Sequence, residues 1–402
     1  MAYTDEGHAM AEGTWRSRRI RIGDTDYPYY YGIDCVEPIL GELAALKADR
    51  FVVVTDDTVL ALHGPALLPG LRELAPVHVI SHAPGESMKT LATMTADIDE
   101  VLAAGATRRS VVVAFGGGVP GNLAGVIAAL VFRGIRLVHV PTTTTAAMDS
   151  VLSLKQAINS RFGKNHIGTY LPPHAVYTDV ALMGTLPDVE LRSGLCEAAK
   201  NCLAIEPAAL PTLRRVLAAG DLTSPESLLW LLDMSVSAKT RVTARDAREQ
   251  NAGLILEYGH TVGHAVELCD HRRDPAAGIS HGSAIAFGMV VAAHISHARG
   301  WLSAAHVALH EEVVAALGAP TTLPDTISVD DVLDVVAADN KRGYLPAAAP
   351  NAVPFVLLRD LGVPAGEVDL PLVPVLLDEV RTALAALRSR QPAGVAADLE
   401  PT

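Results

Sequence analysis

His260 and His264 stand four residues apart in residues 258–264, on one face of any helix that contains both. Glu257 lies just before them, His281 follows in an Ile-Ser-His-Gly turn, and Glu197 sits in the segment 194–200. One carboxylate and two imidazoles that leave a coordination position open make a catalytic site for Zn2+ or Co2+. The spacing leaves open which three residues close the shell. Thr261 follows His260, so the HExxH pattern of zinc proteases is absent and metal-assisted peptide hydrolysis is disfavoured. A single histidine among the 15 is more often a satisfied core residue. The clustering is what argues for a metal.

A second chemistry-bearing segment is the apolar run 111–115, which leads into Gly116-Gly117-Gly118-Val119-Pro120-Gly121-Asn122 and then an apolar helix. Glycines there let backbone approach a pyrophosphate, and the helix start offers unpaired N–H groups to its charge. The pattern is not GxGxxG, and a tight structural turn is the competing explanation. Asp56 follows the first apolar strand and Glu86 stands in a Pro-Gly-Glu turn, where either can accept a ribose hydroxyl. Basic residues that would meet a phosphate are Arg133, Lys155, Lys164 beside Asn165, Lys200, Lys239 and Lys341 beside Arg342. Lys155 and Lys164 follow the Pro141-Thr142-Thr143-Thr144 strand end, where open α/β sheets bind ligands.

These groups need two kinds of scaffold. Short β-branched runs at 51–54, 77–80, 110–115 and 137–140 alternate with helical segments, which predicts a mostly parallel α/β sheet of the Rossmann type. From about residue 186 the pattern turns to alanine- and leucine-rich helical periodicity, as at 213–219, 228–242 and 284–299. The expected organisation is a tail at 1–18, an α/β domain at 19–185, a helical domain at 186–390 and a tail at 391–402. A chain of 402 residues with 50% hydrophobic content suits two globular domains. The net charge of −13 argues against nucleic acid or an anionic membrane as partner, so an anionic ligand must meet a local basic pocket. Cys35, Cys196, Cys202 and Cys269 form no CxxC pair, and the N-terminus lacks the apolar core of a signal peptide. Both predict a cytoplasmic protein. The apolar stretch 111–132 is broken by glycines and Pro120, which fits a strand, turn and helix better than a membrane span.

Together the segments GGGVPGNLAG, FRGIRLVHVPTT, DSVLSLK, GKNHIGTY, EYGHTVGHAVE and the His281-Gly282 pair resemble the dehydroquinate synthase-like sugar-phosphate cyclases. The resemblance runs from about Tyr30 to Tyr344 and implies an N-terminal nucleotide-binding domain, a C-terminal helical metal-binding domain and a homodimer. It implies metal ligation by Glu197, His260 and His281, and catalysis by Lys155, Glu257 and His264. NAD would be held by Asp56, Glu86, Lys89, Gly117, Gly118, Asn122, Thr142, Thr143, Asp149, Lys164 and Thr185. The sugar phosphate would meet Asp149, Lys155, Asn165, Lys200, Lys239, His264 and Lys341, with Arg133 donated across the dimer interface.

The chain departs from the dehydroquinate synthase pattern at three places. Asn122 stands where that pattern has aspartate, Gly253 where it has the arginine that holds a substrate carboxylate, and Glu257 where it has asparagine. Loss of a bidentate carboxylate partner suits a substrate without a carboxylate, such as glucose 6-phosphate. The departures resemble the branch that serves aminoglycoside biosynthesis. There the implied reaction is transient C4 oxidation by NAD, phosphate elimination, re-reduction and aldol closure to a carbocyclic ketone. Glu257 is the candidate acid/base for the elimination. The competing readings are a sister cyclase, acting on sedoheptulose 7-phosphate or the dehydroquinate precursor, and a metal-dependent polyol dehydrogenase, which would release NADH.

Overall fold

The computed structural model describes residues 15–161, 163–274, 278–339, 341, 343–345 and 351–388. The C-terminal tail expected at 391–402, residues 1–14 of the expected N-terminal tail, Asn340 and Arg342 lie outside them. Residues 16–18 of that tail instead begin a strand. Contacts divide the chain into two compact units, residues 1–198 with 219–253, and residues 199–218 with 254–402.

The first unit carries a sheet in the order β1-β2-β9-β6-β5-β3-β4. Its antiparallel edge is the hairpin of β1 (Arg16–Ile22) and β2 (Thr25–Gly32). The remaining pairings are parallel and involve β3 (Phe51–Asp56), β4 (Val77–His82), β5 (Val111–Gly116), β6 (Arg136–Pro141) and β9 (Ala175–Asp179). A separate hairpin joins β7 (Lys155–Ser160) to β8 (Gly163–Tyr170).

Alternation along the parallel strands feeds two cores, as a sheet covered on both faces requires. Val52, Val54, Val112 and Ala114 pack with residues of α3 (Leu91–Ala103) and α4 (Gly118–Leu130). Phe51, Val53, Val111, Val113 and Phe115 pack with α1 (Val36–Ala45) and α2 (Asp57–Leu74). The chain leaves β3 for β4 on one side and returns to β5 on the other. That switch opens a crevice at the carboxyl ends of β3 and β5, where Asp56 and Gly116 stand.

The helices α5 (Thr144–Met148) and α6 (Asp188–Ala204) follow, and the division between units falls inside α6. α7 (Leu210–Ala219) belongs almost wholly to the second unit. α8 (Pro225–Thr243) belongs to the first, although its helical periodicity suggests the second domain. Its buried face meets α5 and β1, and Asp233 pairs with Arg18 at 3.0 Å. Periodicity shows which face is apolar, not what that face covers.

In the second unit α10 (His281–Ala298), buried nearly all round, packs against α9 (His260–Arg273), α11 (Ala304–Ala316) and α13 (Leu377–Arg388), and α12 (Val329–Ala337) packs on α9 and α13. Two small antiparallel pairs add strand to the expected helical unit, β10 (Ala352–Val356) with β13 (Leu372–Leu376) and β11 (Leu358–Asp360) with β12 (Val363–Pro364). All four cysteines are free thiols. Among the described residues no helix is long and apolar enough to cross a membrane.

Candidate active site

At the crevice of the first unit the chain turns through Gly116 at φ +145, a conformation that glycine alone adopts readily. A Cβ on Gly116 would lie 2.9 Å from Pro120 Cγ and 3.7 Å from Asp56 Oδ2, and one on Gly117 would lie 3.1 Å from Thr143 Cγ2. Gly118 opens onto free space and begins α4, whose first N–H groups have no partner within the helix. Gly116, Gly117, Gly118, Asn122, His139 and Lys155 share a small cavity. The bare backbone and the helix start fit a dinucleotide pyrophosphate.

Asn122 braces this turn: its Nδ2 donates to Gly118 O and its Oδ1 accepts from Ala157 N, both at 2.8 Å. An aspartate there could not donate to Gly118 O. Thr142 N donates to Gly116 O at 3.0 Å, Thr143 Oγ1 caps α5 through Ala146 N, and Asp56 Oδ1 caps α2 through Val59 N at 2.9 Å. Thr185 Oγ1 donates to Leu182 O and lies 2.9 Å from His63 Nε2.

The hairpin β7–β8 brings further polar groups together. Lys89 Nζ donates to Asn165 Oδ1 at 2.5 Å and lies 3.3 Å from Glu86 Oε1. Burial, and secondarily the Lys164 charge, pushes the Lys89 ammonium below the ordinary lysine pKa against the pull of Glu86. Lys155 Nζ reaches Glu249 Oε2 at 2.6 Å. Lys239 donates to Asp149 O at 2.9 Å and to Asp149 Oδ1 at 2.6 Å. Burial opposes its charge, but Asp149, Glu249 and Glu197 together hold its pKa above the usual value. Glu197 itself is buried on α6.

In the second unit Gly259 at φ +82 turns the chain into α9, and His260 is that helix's first residue. α9 and α10 meet through glycine: a Cβ on Gly288 would overlap Gly259 O, and one on Gly263 would lie 2.9 Å from Ile285 Cα. This close crossing sets His281, the first residue of α10, beside the histidines of α9. Ring centroids are 5.1 Å apart for His260 and His264, 5.9 Å for His260 and His281, and 5.7 Å for His264 and His281. One ligand nitrogen from each lies within 4.8 Å of the others.

Two of the rings are held as metal ligands are. His260 Nδ1 donates to Tyr258 O at 3.2 Å and His281 Nδ1 to Glu267 Oε2 at 2.9 Å, so that either ring, in its neutral form, carries its lone pair on Nε2, the tautomer that ligates a cation. Three imidazoles suit Zn2+ or Co2+. Burial holds His264 below the ordinary histidine pKa, with His281 and Lys341 adding to it and Glu257 and Glu267 opposing. Lys341 is buried, 3.0 Å from Asp339 Oδ1 and 3.6 Å from Glu257 Oε2.

The family models of the 3-dehydroquinate synthase N-terminal and C-terminal regions match residues 79–193 and 194–342. The chain belongs to the 3-dehydroquinate synthase family. A 2-deoxy-scyllo-inosose synthase from Streptoalloteichus tenebrarius is 47% identical over 94% of this cyclase and 97% of its own length. One from Niallia circulans is 37% identical over 89% and 96%. The crystal structure of a 2-deoxy-scyllo-inosose synthase with carbaglucose-6-phosphate, NAD+ and Co2+ is 34% identical, with a TM-score of 0.83 over 92% of this chain and 99% of that one. A 2-epi-5-epi-valiolone synthase from Streptomyces hygroscopicus, with NAD+ and Zn2+ bound, is 25% identical with a TM-score of 0.78 over 92% and 99%.

The cyclase's expected residues fall into local groups. Glu86, Lys89 and Asn165 meet in one, Lys239 and Asp149 in another, and Glu257, His264 and Lys341 in a third beside His260 and His281. Arg133 stands exposed at φ +65 after α4, Lys164 is exposed on β8, and Lys200 is buried on α6 in the second unit. His264 joins the histidine cluster, whereas the resemblance places it with the substrate. The residue pattern alone misses Glu267, Glu249, Asn159 and His139. Glu267 had a readable signal, since it lies seven residues after His260 on the same helical face. His139 is a buried strand residue whose pKa burial pushes down to about 4, so it lines the cavity uncharged.

Proposed function

We propose that this cyclase converts D-glucose 6-phosphate to 2-deoxy-scyllo-inosose and inorganic phosphate, by transient oxidation at C4, elimination of phosphate, re-reduction and intramolecular aldol closure, in aminoglycoside (2-deoxystreptamine) biosynthesis. The observation that carries this choice of substrate is Gly253. Its N–H donates to Asp246 Oδ2 at 2.9 Å, and a Cβ there would lie 2.8 Å from the same oxygen. The backbone is packed on a carboxylate at the position where the family's carboxylate-binding arginine would stand. A substrate that brings no carboxylate needs none.

When bound, NAD+ supplies a reversible hydride acceptor and Zn2+ or Co2+ supplies Lewis acidity. The nucleotide would rest on Gly116 to Gly118 and the start of α4, with Glu86 and Lys89 beside it. The cation would be held in the second unit by His260 and His281, and the third ligand is Glu197 by family resemblance or His264 by proximity. Glu257 takes and returns the proton of the elimination, with Lys341 Nζ 3.6 Å from its Oε2. By the family resemblance, Lys155, Asn165, His264 and Lys341 are the residues expected to meet the phosphate. The homodimer, with Arg133 reaching the partner, and the cytoplasmic location belong to the same proposal.

The test is incubation with glucose 6-phosphate, catalytic NAD+ and Co2+ or Zn2+, following phosphate and the NADH absorbance. Phosphate release without NADH accumulation, with a carbocyclic ketone identified by mass and NMR, is the expected result. Release only from sedoheptulose 7-phosphate or the dehydroquinate precursor overturns the substrate, and net NADH production overturns the cyclase reading.

A further inference from the structure

We propose that Asn159 is a positioning residue that couples the nucleotide side of the first unit to its phosphate side. Three of its polar groups are used at once. Its backbone N–H donates to Lys89 O at 2.7 Å, its Nδ2 donates to Glu86 Oε1 at 2.8 Å, and its Oδ1 accepts from Asn165 N at 2.9 Å. Lys89 Nζ closes the ring by donating to Asn165 Oδ1 at 2.5 Å, while staying 3.3 Å from Glu86 Oε1.

Two members of the ring, Glu86 and Asn165, sit in irregular backbone. Glu86 lies in a single 3-10 turn, Glu86–Met88, after Gly85 at φ +124. Asn165 holds φ +58, a left-handed conformation that asparagine tolerates better than most L-residues but that a contact must select over the more populated regions. The Asn159 amide pins both, because it offers a donor toward the Glu86 carboxylate and an acceptor toward the Asn165 N–H. Aspartate would keep the acceptor but set a second carboxylate against Glu86, and alanine would keep neither. Ordering either side therefore lowers the conformational cost of ordering the other, which is positive coupling between the two ligands. The inference rests on the reading in which Glu86 and Lys89 serve NAD+ and Asn165 serves the sugar phosphate.

Asn159→Asp and Asn159→Ala in the full-length, Co2+-loaded protein separate the two arms. NAD+ affinity is measured by calorimetry with and without glucose 6-phosphate, alongside KM, kcat and Tm. Asn159→Asp should weaken NAD+ about tenfold and leave the KM for glucose 6-phosphate within about threefold, whereas Asn159→Ala should weaken both by about tenfold. In the alanine variant glucose 6-phosphate should also no longer tighten NAD+. Identical profiles for the two variants, or unchanged affinities beside a lowered Tm, would overturn the proposal. If Asn159→Ala does not fold, the near-isosteric Asn159→Asp decides on its NAD+ affinity alone. Wild-type protein that binds NAD+ but does not turn over glucose 6-phosphate refutes the functional reading, and the NAD+ arm still judges the Asn159 link to Glu86.

Discussion

The candidate nucleotide site of the first unit is made of backbone, and the candidate metal site of the second is made of side chains. Gly116, Gly117 and Gly118 work by what they lack, leaving N–H groups and the start of α4 bare for an anion. His260, His264 and His281 work by what they carry, and need two helices at close approach to bring three imidazoles together. A backbone site is contained in one strand-turn-helix and is nearly complete in a dozen residues. A side-chain site depends on tertiary packing, here on glycines at the α9–α10 crossing rather than on the histidines themselves. The two should therefore fail separately when mutated.

The sharpest break between them is His281→Ala. It should lower bound Co2+ or Zn2+ and cut kcat/KM by about a thousandfold, the scale of losing about 4 kcal/mol of Lewis-acid stabilisation. NAD+ affinity should stay near wild type by calorimetry. Loss of NAD+ binding together with the metal would show that the two sites are not independent. Metal analysis of Glu197→Ala and His264→Ala in the same experiment names the third ligand, since only the true one should lose the ion.

Glu257→Gln asks a narrower question on the histidine side. The variant should keep both metal and NAD+ yet lose about a hundredfold or more in kcat, as expected when a general acid/base is removed. Near-normal turnover would make Glu257 a carboxylate that orients its neighbours instead.

The same contrast explains which parts of the molecule are legible in the sequence. The run 111–122 is legible because its signals, β-branched strand, glycine turn and apolar helix, are all local. The i, i+4 spacing makes His260 and His264 legible as a pair. His281 becomes a partner only through the crossing at which Gly288 meets Gly259, and no periodicity records that crossing. Asn159 is invisible for the same reason: it is one polar residue in a short strand, and its partners Glu86 and Asn165 are set by the fold. α8 reads as a helix in the right place along the chain, but which unit it covers is decided by Asp233 and Lys239 finding Arg18 and Asp149. Asn122, read as a cofactor contact, has both side-chain polar atoms engaged in bracing the turn.

A smaller effect tests the backbone side. Gly116→Ala places a methyl group 2.9 Å from Pro120 Cγ on a residue at φ +145. The strain, about 1–3 kcal/mol, should shift the turn and weaken NAD+ about tenfold. Metal content should not change. An unaltered NAD+ affinity would mean that the turn does not carry the nucleotide.

The smallest expected effect concerns the far end of the helix that presents His281. Arg299, at the C-terminus of α10, donates through Nε and a terminal nitrogen to the two carboxylate oxygens of Glu379, both at 2.8 Å. The Arg299 hydrogen bonds are the main cause that holds the Glu379 carboxyl below its ordinary pKa of 4.5, against some burial. A carboxylate with a depressed folded-state pKa stabilises the fold above its unfolded pKa and loses that contribution as pH falls through the folded value. Glu379→Gln should thus be less stable than wild type by about 1 kcal/mol near neutral pH, since the pair is partly exposed and screened. Urea denaturation should show the gap closing on acidification through and below the ordinary carboxylate range. A gap that stays constant with pH would mean that the side chain stabilises by packing rather than by charge. Because His281 lies at the opposite end of α10, kcat and metal content should be unchanged, separating the helix's anchoring from the chemistry it presents.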